Sequence, residues 1–204
     1  MHLLDQRTLG IGILLLLGTL VIIKHTATGS ILRDKPKGNL GICTHGFNLF
    51  FLLIVNPLAG ILLITGNLEA VDPTRLAIDL PWLLTGLEIG GLGLYGMGYF
   101  LMGWALIRLG NNYQVGGSAP RLVDEMVMAG PYRLCRHPMY TAALCISLGL
   151  ACLIQSLAFF SVFCIYLVLI LLLIPVEEEG LRRAYGERYI AYQQRAKKLV
   201  PLFF

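Results

Sequence analysis

The sequence predicts an all-α integral membrane protein with five transmembrane helices, and three observations support this fold class. Hydrophobic residues make up 56% of the 204 residues and charged residues only 14%, whereas a soluble domain carries about a quarter charged residues. Several apolar runs are long enough to cross a bilayer. The last dense polar segment before the tail, residues 130–140, is followed by an apolar run that extends to Val176 without a charge.

The uncharged run from Met139 to Val176 predicts a helical hairpin. As one straight helix it would extend about 57 Å, roughly twice the hydrocarbon core of a bilayer. The pair Gln155-Ser156 is the polar break near its middle. We therefore expect two spans that turn at this pair, an arrangement that brings the start of one span beside the end of the next.

Five spans are predicted, at residues 9–23, 42–65, 80–106, 139–154 and 157–176. The second is expected to kink at Asn56-Pro57, because proline lacks the N–H group that would complete a helical hydrogen bond. The tail after Val176 is expected to be soluble or interfacial and helical, with an interruption at Gly186, because its tyrosines recur at helical spacing. Since no linker or repeat divides the chain, we predict one membrane domain over residues 1–204.

The basic residues predict an orientation. Of the 16 Lys and Arg residues, only Arg7 and Arg75 lie in the N-terminal segment or the second loop. The others lie in the first loop, the third loop and the tail, so the positive-inside rule places the N-terminus outside and the tail in the cytoplasm. Basic residues in short loops of this kind also contact membrane lipids, and they predict no nucleic-acid partner.

Other polar and glycine patterns point less clearly to chemistry. Residues 91–96 spell G-x-G-x-x-G, but a dinucleotide site needs a preceding strand, so we expect the glycines of this span to let another helix approach closely. Glu88 lies near the outer end of the same span, and structural and functional roles are equally open. The scattered histidines and the five cysteines lack metal-ligand spacing, so no metal is expected.

The start of the fourth predicted span carries two basic side chains, Arg136 and His137, followed by Pro138, which suits a first helical position. A helix N-terminus presents N–H groups and positive potential. This segment therefore suits an anionic group such as a carboxylate. The alternative is that the two side chains only anchor the helix to lipid phosphates.

Three carboxylates, Glu177, Glu178 and Glu179, follow the last predicted span. One interpretation is a solvated helix end. However, anions at a helix C-terminus are unfavourable unless a cation offsets them, and the candidates are nearby arginines or a cationic ligand. S-adenosylmethionine fits such a site, because it offers a sulfonium and an ammonium to the glutamates and a carboxylate to Arg136 or helix amides.

Taken together, these segments resemble the isoprenylcysteine carboxyl methyltransferase family in a prokaryotic-type form, whose wider kin are phospholipid N-methyltransferases. The resemblance rests on residues 109–112, 130–133 and 136–140, the hairpin, the three glutamates, Leu181, Tyr185-Gly186, Tyr189, Tyr192 and Pro201. It implies a five-span membrane methyltransferase that uses S-adenosylmethionine without a Rossmann domain. It also implies a catalytic part at residues 108–204 and a lipophilic small-molecule or lipid-anchored acceptor.

Matched by position, the resemblance implies specific site residues. The implied cofactor-binding residues are Asp124, Glu125, Met126, Val127, Tyr132, His137, Pro138, Met139, Tyr140 and Glu178. Glu177 is implied to orient the cofactor or the nucleophile, and Arg136 to balance charge at the reacting centre. Asp124 replaces the family's histidine, and Leu173 replaces an arginine that the prenylcysteine enzymes place near the substrate. The change at Leu173 favours an amine or thiol acceptor over a prenylcysteine carboxylate, although all three remain open.

Two other functions remain open from the sequence. Sterol reductases that use NADPH share the R-H-P-x-Y element, but the acidic triplet offers no evident site for a 2′-phosphate. A non-catalytic membrane protein on the same scaffold is the second alternative.

Overall fold

A computed structural model of the chain describes residues 5–29, 36, 38–113 and 124–199. Most of these residues are helical, and no β-strand occurs among them. The helices are α1 (Gln6–Thr28), α2 (Gly38–Phe50), α3 (Asn56–Thr65), α4 (Leu68–Val71), α5 (Pro81–Leu109), α6 (Pro138–Ile154), α7 (Leu157–Tyr185) and α8 (Glu187–Arg195). The predicted all-α class is confirmed.

Four helical segments in the described part of the chain are long and apolar enough to cross a membrane. They are Gln6–Thr28, Gly38–Thr65, Pro81–Asn112 and Leu157–Tyr185. The remaining predicted span corresponds to α6, an apolar helix of 17 residues, slightly shorter than a typical membrane span. The count of five spans therefore stays a prediction.

The second span contains a change of helical geometry just before Pro57. Residues Phe51–Val55 form a π-helical turn between α2 and α3, and the N–H group of Asn56 donates to the carbonyl of Phe51. Pro57 then occupies the first turn of α3, where its missing N–H group is tolerated. The irregularity in this span is thus one π-helical turn just before Asn56-Pro57, where the sequence predicts a kink.

Helices α5 and α6 pack closely through glycines. A Cβ atom added to Gly149 would lie 2.6 Å from the backbone nitrogen of Tyr95, and one added to Gly98 would lie 2.8 Å from the carbonyl oxygen of Ala142. Gly91 contacts the same helix. The expectation of close approach is therefore right for these positions. The expectation is wrong for four other glycines of α5, because a Cβ atom added to them would meet open space. These glycines are Gly86, Gly90, Gly93 and Gly96.

The turn between α6 and α7 is fastened to the second loop. Gln155 adopts a left-handed conformation, with φ 56°, and its carbonyl accepts a hydrogen bond of 2.7 Å from the amide of Leu76. The side chain of Ser156 caps the start of α7, and the guanidinium of Arg75 donates to the carbonyl of Ile154. These bonds fix the end of the helix pair that lies far from the three glutamates.

Helix α7 continues past its predicted end. The span was expected to stop at Val176, but the helix includes Pro175 and ends only at Tyr185, before Gly186, whose φ is 56°. Glu, Leu, Arg and Ala are good helix formers, and the expected interruption at Gly186 is present. The three glutamates therefore lie within a helix, so the expected conflict with a helix C-terminus is wrong.

Glu88 is buried in α5, with 7% of its surface exposed, and it has an interaction partner.

Candidate functional site

A cavity of about 190 Å³ lies where the start of α6, the second half of α7, α2 and α8 meet. Most of the sequence-predicted site residues line it. They are residues 124–127, Tyr132, residues 136–140 and Glu177. Glu178 is the exception, because its side chain is turned into the protein and is 5% exposed. One cavity therefore gathers residues from the third loop and from both helices of the C-terminal pair.

The three consecutive glutamates point in three directions, because successive helical residues are rotated by about 100°. Glu177 faces the cavity, and its Oε2 accepts a hydrogen bond of 2.7 Å from the hydroxyl of Tyr140. Glu179 lies on the surface, where it pairs with Arg183 at 2.9 Å and with Arg182 at 3.8 Å. The run is therefore not one cluster of equivalent carboxylates.

Glu178 is the buried member and forms an ionic network. Its Oε1 accepts a hydrogen bond of 2.8 Å from Nε of Arg136 and lies 3.3 Å from Nε2 of His137. Its Oε2 accepts from the side-chain amide of Gln193 at 3.2 Å. Because a buried charge needs a paired charge and further hydrogen bonds, Glu178 links α7 to the start of α6 and to α8.

Arg136 fastens the tail to the start of α6. Its Nη1 donates to the carbonyl of Gln193 at 3.1 Å and also to the carbonyl of Ala196. Its backbone amide donates to the carbonyl of Lys197 at 2.7 Å. The resemblance implied that Arg136 balances charge at the reacting centre, but these contacts direct its guanidinium to Glu178 and to the end of α8.

The N–H groups before α6 are already engaged. The amide of His137 donates to the carbonyl of Lys198 at 3.0 Å, and the amide of Tyr140 donates to the carbonyl of His137 at 3.1 Å. The hydroxyl of Thr141 donates to the carbonyl of Leu199 at 2.6 Å. The expectation that this helix start offers its amides to an anion is therefore wrong for these two amides, because that of His137 bonds to the tail and that of Tyr140 bonds to the carbonyl of His137.

Aromatic rings form much of the cavity wall. The ring of His137 stacks on that of Tyr140 with centroids 5.5 Å apart, and both residues line the cavity together with Tyr189 and Tyr192. Burial, followed by the negative charge of Glu177, raises the pKa of the Tyr132 hydroxyl far above its usual value. Tyr132 therefore stays neutral, and the wall combines π faces with hydroxyl groups.

The third loop reaches the cavity through residues 124–127. The hydroxyl of Tyr185 donates to the carbonyl of Asp124 at 3.3 Å, and the amide of Glu125 donates to the side chain of Asn112 at 3.2 Å. Both bonds use backbone groups of the loop. They hold the segment against α7 and the end of α5, whichever side chain stands at position 124.

Comparison with known proteins identifies the family. Residues 87–188 match the model of the phospholipid methyltransferase family, which is half of the chain. The chain belongs to this family. The match covers α6, α7 and the cavity residues contributed by both, and it confirms the resemblance to membrane methyltransferases of the isoprenylcysteine carboxyl methyltransferase kind.

A solved structure shares the fold of this family member. It is a eukaryotic intramembrane Ras methyltransferase, isoprenylcysteine carboxyl methyltransferase, with a TM-score of 0.56 and 19% sequence identity. The match covers 91% of this chain and 74% of the other. A search of curated protein sequences gives no significant match. The family and the apolar helices together show an integral membrane methyltransferase.

The sequence analysis missed the cavity wall formed by α2. Thr44, His45 and Asn48 of α2 line the cavity, and Oδ1 of Asn48 accepts a hydrogen bond of 2.9 Å from the hydroxyl of Tyr166. A signal was present, because these polar residues recur on one helical face of a predicted span.

Leu173 also lines this cavity and is 1% exposed. It lies one helical turn before Glu177 on the same face of α7. The position where the resemblance expects an arginine is therefore an apolar part of the cavity wall.

Proposed function

We propose that this family member transfers a methyl group from S-adenosylmethionine to a lipophilic acceptor at the cytoplasmic face of the membrane. The observation that carries the proposal is the pair formed by Glu177 and Tyr140 in an aromatic cavity. Tyr140 is a neutral donor, so it orients the carboxylate without neutralising it. A carboxylate in this state favours a cationic ligand.

The cavity residues fit S-adenosylmethionine chemically. The cofactor presents a sulfonium, an ammonium, a carboxylate and a purine, and the cavity offers carboxylates, hydroxyl groups and tyrosine faces. Aromatic faces attract cations and stack with flat rings. When bound, the cofactor supplies an electrophilic methyl group. We assign the binding of its cations to Glu177 and the remaining contacts to residues 124–127, Tyr132 and residues 137–140.

The protein's own contribution is to position the partners and to exclude water. Glu177 orients the reacting groups, and Tyr140 holds its carboxylate in one geometry. Arg136 and Glu178 act indirectly, as positioning residues. Their bonds hold α8 and its two cavity-lining tyrosines, Tyr189 and Tyr192, in place. No metal is part of this proposal.

The acceptor that this cavity favours is an amine or a thiol. A prenylcysteine would bring a carboxylate to the methyl-transfer centre, and an unpaired buried charge is costly. Leu173 supplies no cation beside Glu177, and the guanidinium of Arg136 already pairs with Glu178. An acceptor without a carboxylate avoids this cost, and Leu173 packs against its apolar body.

Binding and activity of the purified wild-type protein test the proposal. We expect S-adenosylmethionine, and not NADPH, to give saturable calorimetric binding and thermal stabilisation. Stabilisation by NADPH alone, or by neither compound, would contradict it. A radiolabelled methyl-transfer assay in lipid nanodiscs then compares N-acetyl-farnesylcysteine with long-chain amines and thiols. Esterification of the farnesylcysteine, with no transfer to the other acceptors, would overturn the acceptor assignment.

A further inference from the structure

His45 of α2 is a half-buried side chain that lines the cavity, and the proposed chemistry does not yet use it. Its two polar neighbours on the same helical face are already bonded. The hydroxyl of Thr44 donates to the carbonyl of Leu40, and Oδ1 of Asn48 accepts from the hydroxyl of Tyr166. No hydrogen bond engages the imidazole of His45 in the part of the chain that the structure describes. This imidazole is therefore available to a ligand.

The packing of α2 against α7 fixes the position of His45 along the cavity. Asn48 bonds to Tyr166, and the cavity-lining residues of α7 run from that tyrosine to Glu177 and beyond. The cavity-lining face of α2 runs from Asn48 back to Gly41, so it follows α7 toward Glu177. His45 lies about 4.5 Å along the helix axis from Asn48, and Glu177 lies about 16 Å from Tyr166. The two backbone positions are therefore roughly 12 Å apart along the axes, a gap that the two side chains and the reacting groups fill.

The wall between these two residues suits an acceptor that enters without a charge. Leu173 is the residue of α7 that lines the cavity between Tyr166 and Glu177, and an anion beside it would be costly. An amine that enters as an ammonium has no lone pair, and the carboxylate of Glu177 stabilises that charged form. A thiol avoids both problems, because it enters neutral and loses its proton in place.

Imidazole is better matched to a thiol than to an amine as a proton acceptor. The ordinary pKa of a thiol lies about 2 above that of imidazole, whereas the ordinary pKa of an alkylammonium lies about 4 above it. Proton transfer to imidazole is therefore about 100-fold more favourable from the thiol. The imidazolium that forms also pairs with the new thiolate, so neither charge is isolated in an apolar wall.

We propose that His45 is the general base of the methyl transfer and that the acceptor is a lipophilic thiol. The inference rests on the proposed function and names both an acceptor class and a catalytic residue for it. An imidazole nitrogen takes the proton of the thiol, and the sulfur uses its electron pair to form a bond to the methyl carbon. The bond between that carbon and the donor sulfonium breaks, and its electron pair stays on the donor sulfur. The products are a methyl thioether, S-adenosylhomocysteine and an imidazolium, which returns its proton to water.

A binding experiment without cofactor tests the base. The probe is para-nitrothiophenol, because it is ionised at neutral pH and the thiolate absorbs visible light. Calorimetry at neutral pH, in two buffers with different ionisation enthalpies, measures the protons taken up when the probe binds. We expect wild type to take up about one proton and His45→Gln to take up almost none, because the imidazole becomes imidazolium beside the thiolate. The visible absorbance shows that the bound probe remains a thiolate.

Two control variants identify the group that takes the proton. Glu177→Gln should retain the uptake, because its carboxylate is the alternative proton acceptor of this part of the cavity. The tyrosines of the cavity and Lys24, whose charge acts on the imidazole, already carry their protons at neutral pH in their ordinary state. His25→Gln changes an exposed histidine of α1 outside the cavity and should match wild type. Retention of the uptake in His45→Gln, or its loss in Glu177→Gln alone, would overturn the assignment.

Turnover with S-adenosylmethionine gives a second readout. With decanethiol as the acceptor, His45→Gln should lower kcat at least 100-fold, the size of a typical general-base contribution. With para-nitrothiophenol, which needs no base, kcat should fall less than fivefold. His25→Gln should match wild type for both acceptors. An equal fall for both thiols in His45→Gln would show a merely structural role and would overturn the inference.

Binding of S-adenosylmethionine separates this inference from the proposed function. Its calorimetric affinity should be the same in wild type and in His45→Gln, which also shows that the variant is folded. If that variant loses the cofactor, His45→Asn takes its place in both experiments. A wild type that binds the cofactor and methylates amines but not thiols would overturn this inference alone. A wild type that binds no S-adenosylmethionine would overturn the proposed function and the inference together.

Discussion

Neutralising the adjacent residues Glu177 and Glu178 should produce two different defects, although both changes remove one negative charge from the same helical turn. Glu177→Gln should weaken the binding of S-adenosylmethionine and leave the protein stable. Glu178→Gln should destabilise the protein first. The difference follows from their partners, since Glu177 accepts a bond from neutral Tyr140 whereas Glu178 pairs with Arg136.

The magnitudes follow from burial and charge. The carboxylate of Glu178 and the guanidinium of Arg136 are 5% and 8% exposed. Removing one partner of a buried ion pair costs about 3–5 kcal/mol, which lowers the melting temperature of a chain of this size by roughly 6–20 °C. Glu177→Gln keeps an oxygen for Tyr140 and should change the unfolding free energy by less than about 1 kcal/mol. Its loss of charge should weaken cofactor binding at least tenfold, or about 1.4 kcal/mol.

Thermal unfolding in detergent and calorimetry with S-adenosylmethionine measure the two effects. Glu179→Gln is the matched control from the same triplet. Its carboxylate is 48% exposed and pairs with surface arginines, so both readouts should stay near wild type. Parallel changes in Glu177→Gln and Glu178→Gln would refute the division of roles. Unchanged cofactor affinity in Glu177→Gln would remove the main support for the cofactor site.

Three further predictions concern packing, pH and orientation. Gly149→Ala should destabilise the protein by about 1–3 kcal/mol through overpacking against α5, whereas Gly93→Ala, which faces open space, should be neutral or stabilising in thermal unfolding. Burial raises the pKa of Asp72, but hydrogen bonds from neighbouring hydroxyls and a backbone amide hold it below its usual value. The stability that Asp72 adds is therefore present above the unfolded pKa and lost as pH falls through the folded pKa, so the difference in unfolding free energy between wild type and Asp72→Asn should shrink below about pH 4. A reporter after Phe204 should lie in the cytoplasm and a tag before Met1 outside; the reverse result would contradict the orientation.

The sequence was sufficient to predict the helical membrane class and the part of the cavity lining that comes from the third loop and from the start of α6. Apolar runs without charge have few folded solutions other than membrane helices. The turn at Gln155-Ser156 follows from length, because one helix over residues 139–176 is too long for a bilayer. That turn brings Arg136 near the three glutamates. The proximity of these charges could therefore be predicted although no side-chain contact was known.

The sequence was not sufficient to assign the individual glutamates. Neighbouring residues on a helix differ by about 100° in direction, so their roles depend on the rotation of α7 relative to α6. The resemblance implies that Glu178 binds the cofactor as Glu177 orients it, but the structure shows Glu178 buried against Arg136 and outside the cavity lining. The hydrogen bonds between residues 136–141 and the tail could not be predicted either. Their acceptors are backbone carbonyls, which every residue carries, so the side-chain pattern does not identify them.

The α2 residues that line the cavity could not be predicted from the sequence for a different reason. Thr44, His45 and Asn48 are single polar residues in an apolar run, and such residues often form bonds within their own helix. Thr44 does so, since its hydroxyl donates to the carbonyl of Leu40. All three residues nevertheless line the cavity. The packing of α2 against α7 decides which polar residues of α2 line the cavity. Because that packing joins residues far apart in the chain, the sequence pattern does not show it.

The placement of Arg136 has a consequence for the electrostatics of the cavity. Arg136 lines the same cavity as Glu177, yet its guanidinium is bound to Glu178 and to two carbonyls of the tail. The attraction that Arg136 would otherwise exert on a ligand carboxylate is therefore largely cancelled by Glu178. The negative charge of Glu177 remains directed into the cavity, where a neutral hydroxyl is its recorded partner. Arg136 therefore does not offset the charge that Glu177 directs into the cavity, and this suits the cationic ligand that we propose for this part of the wall.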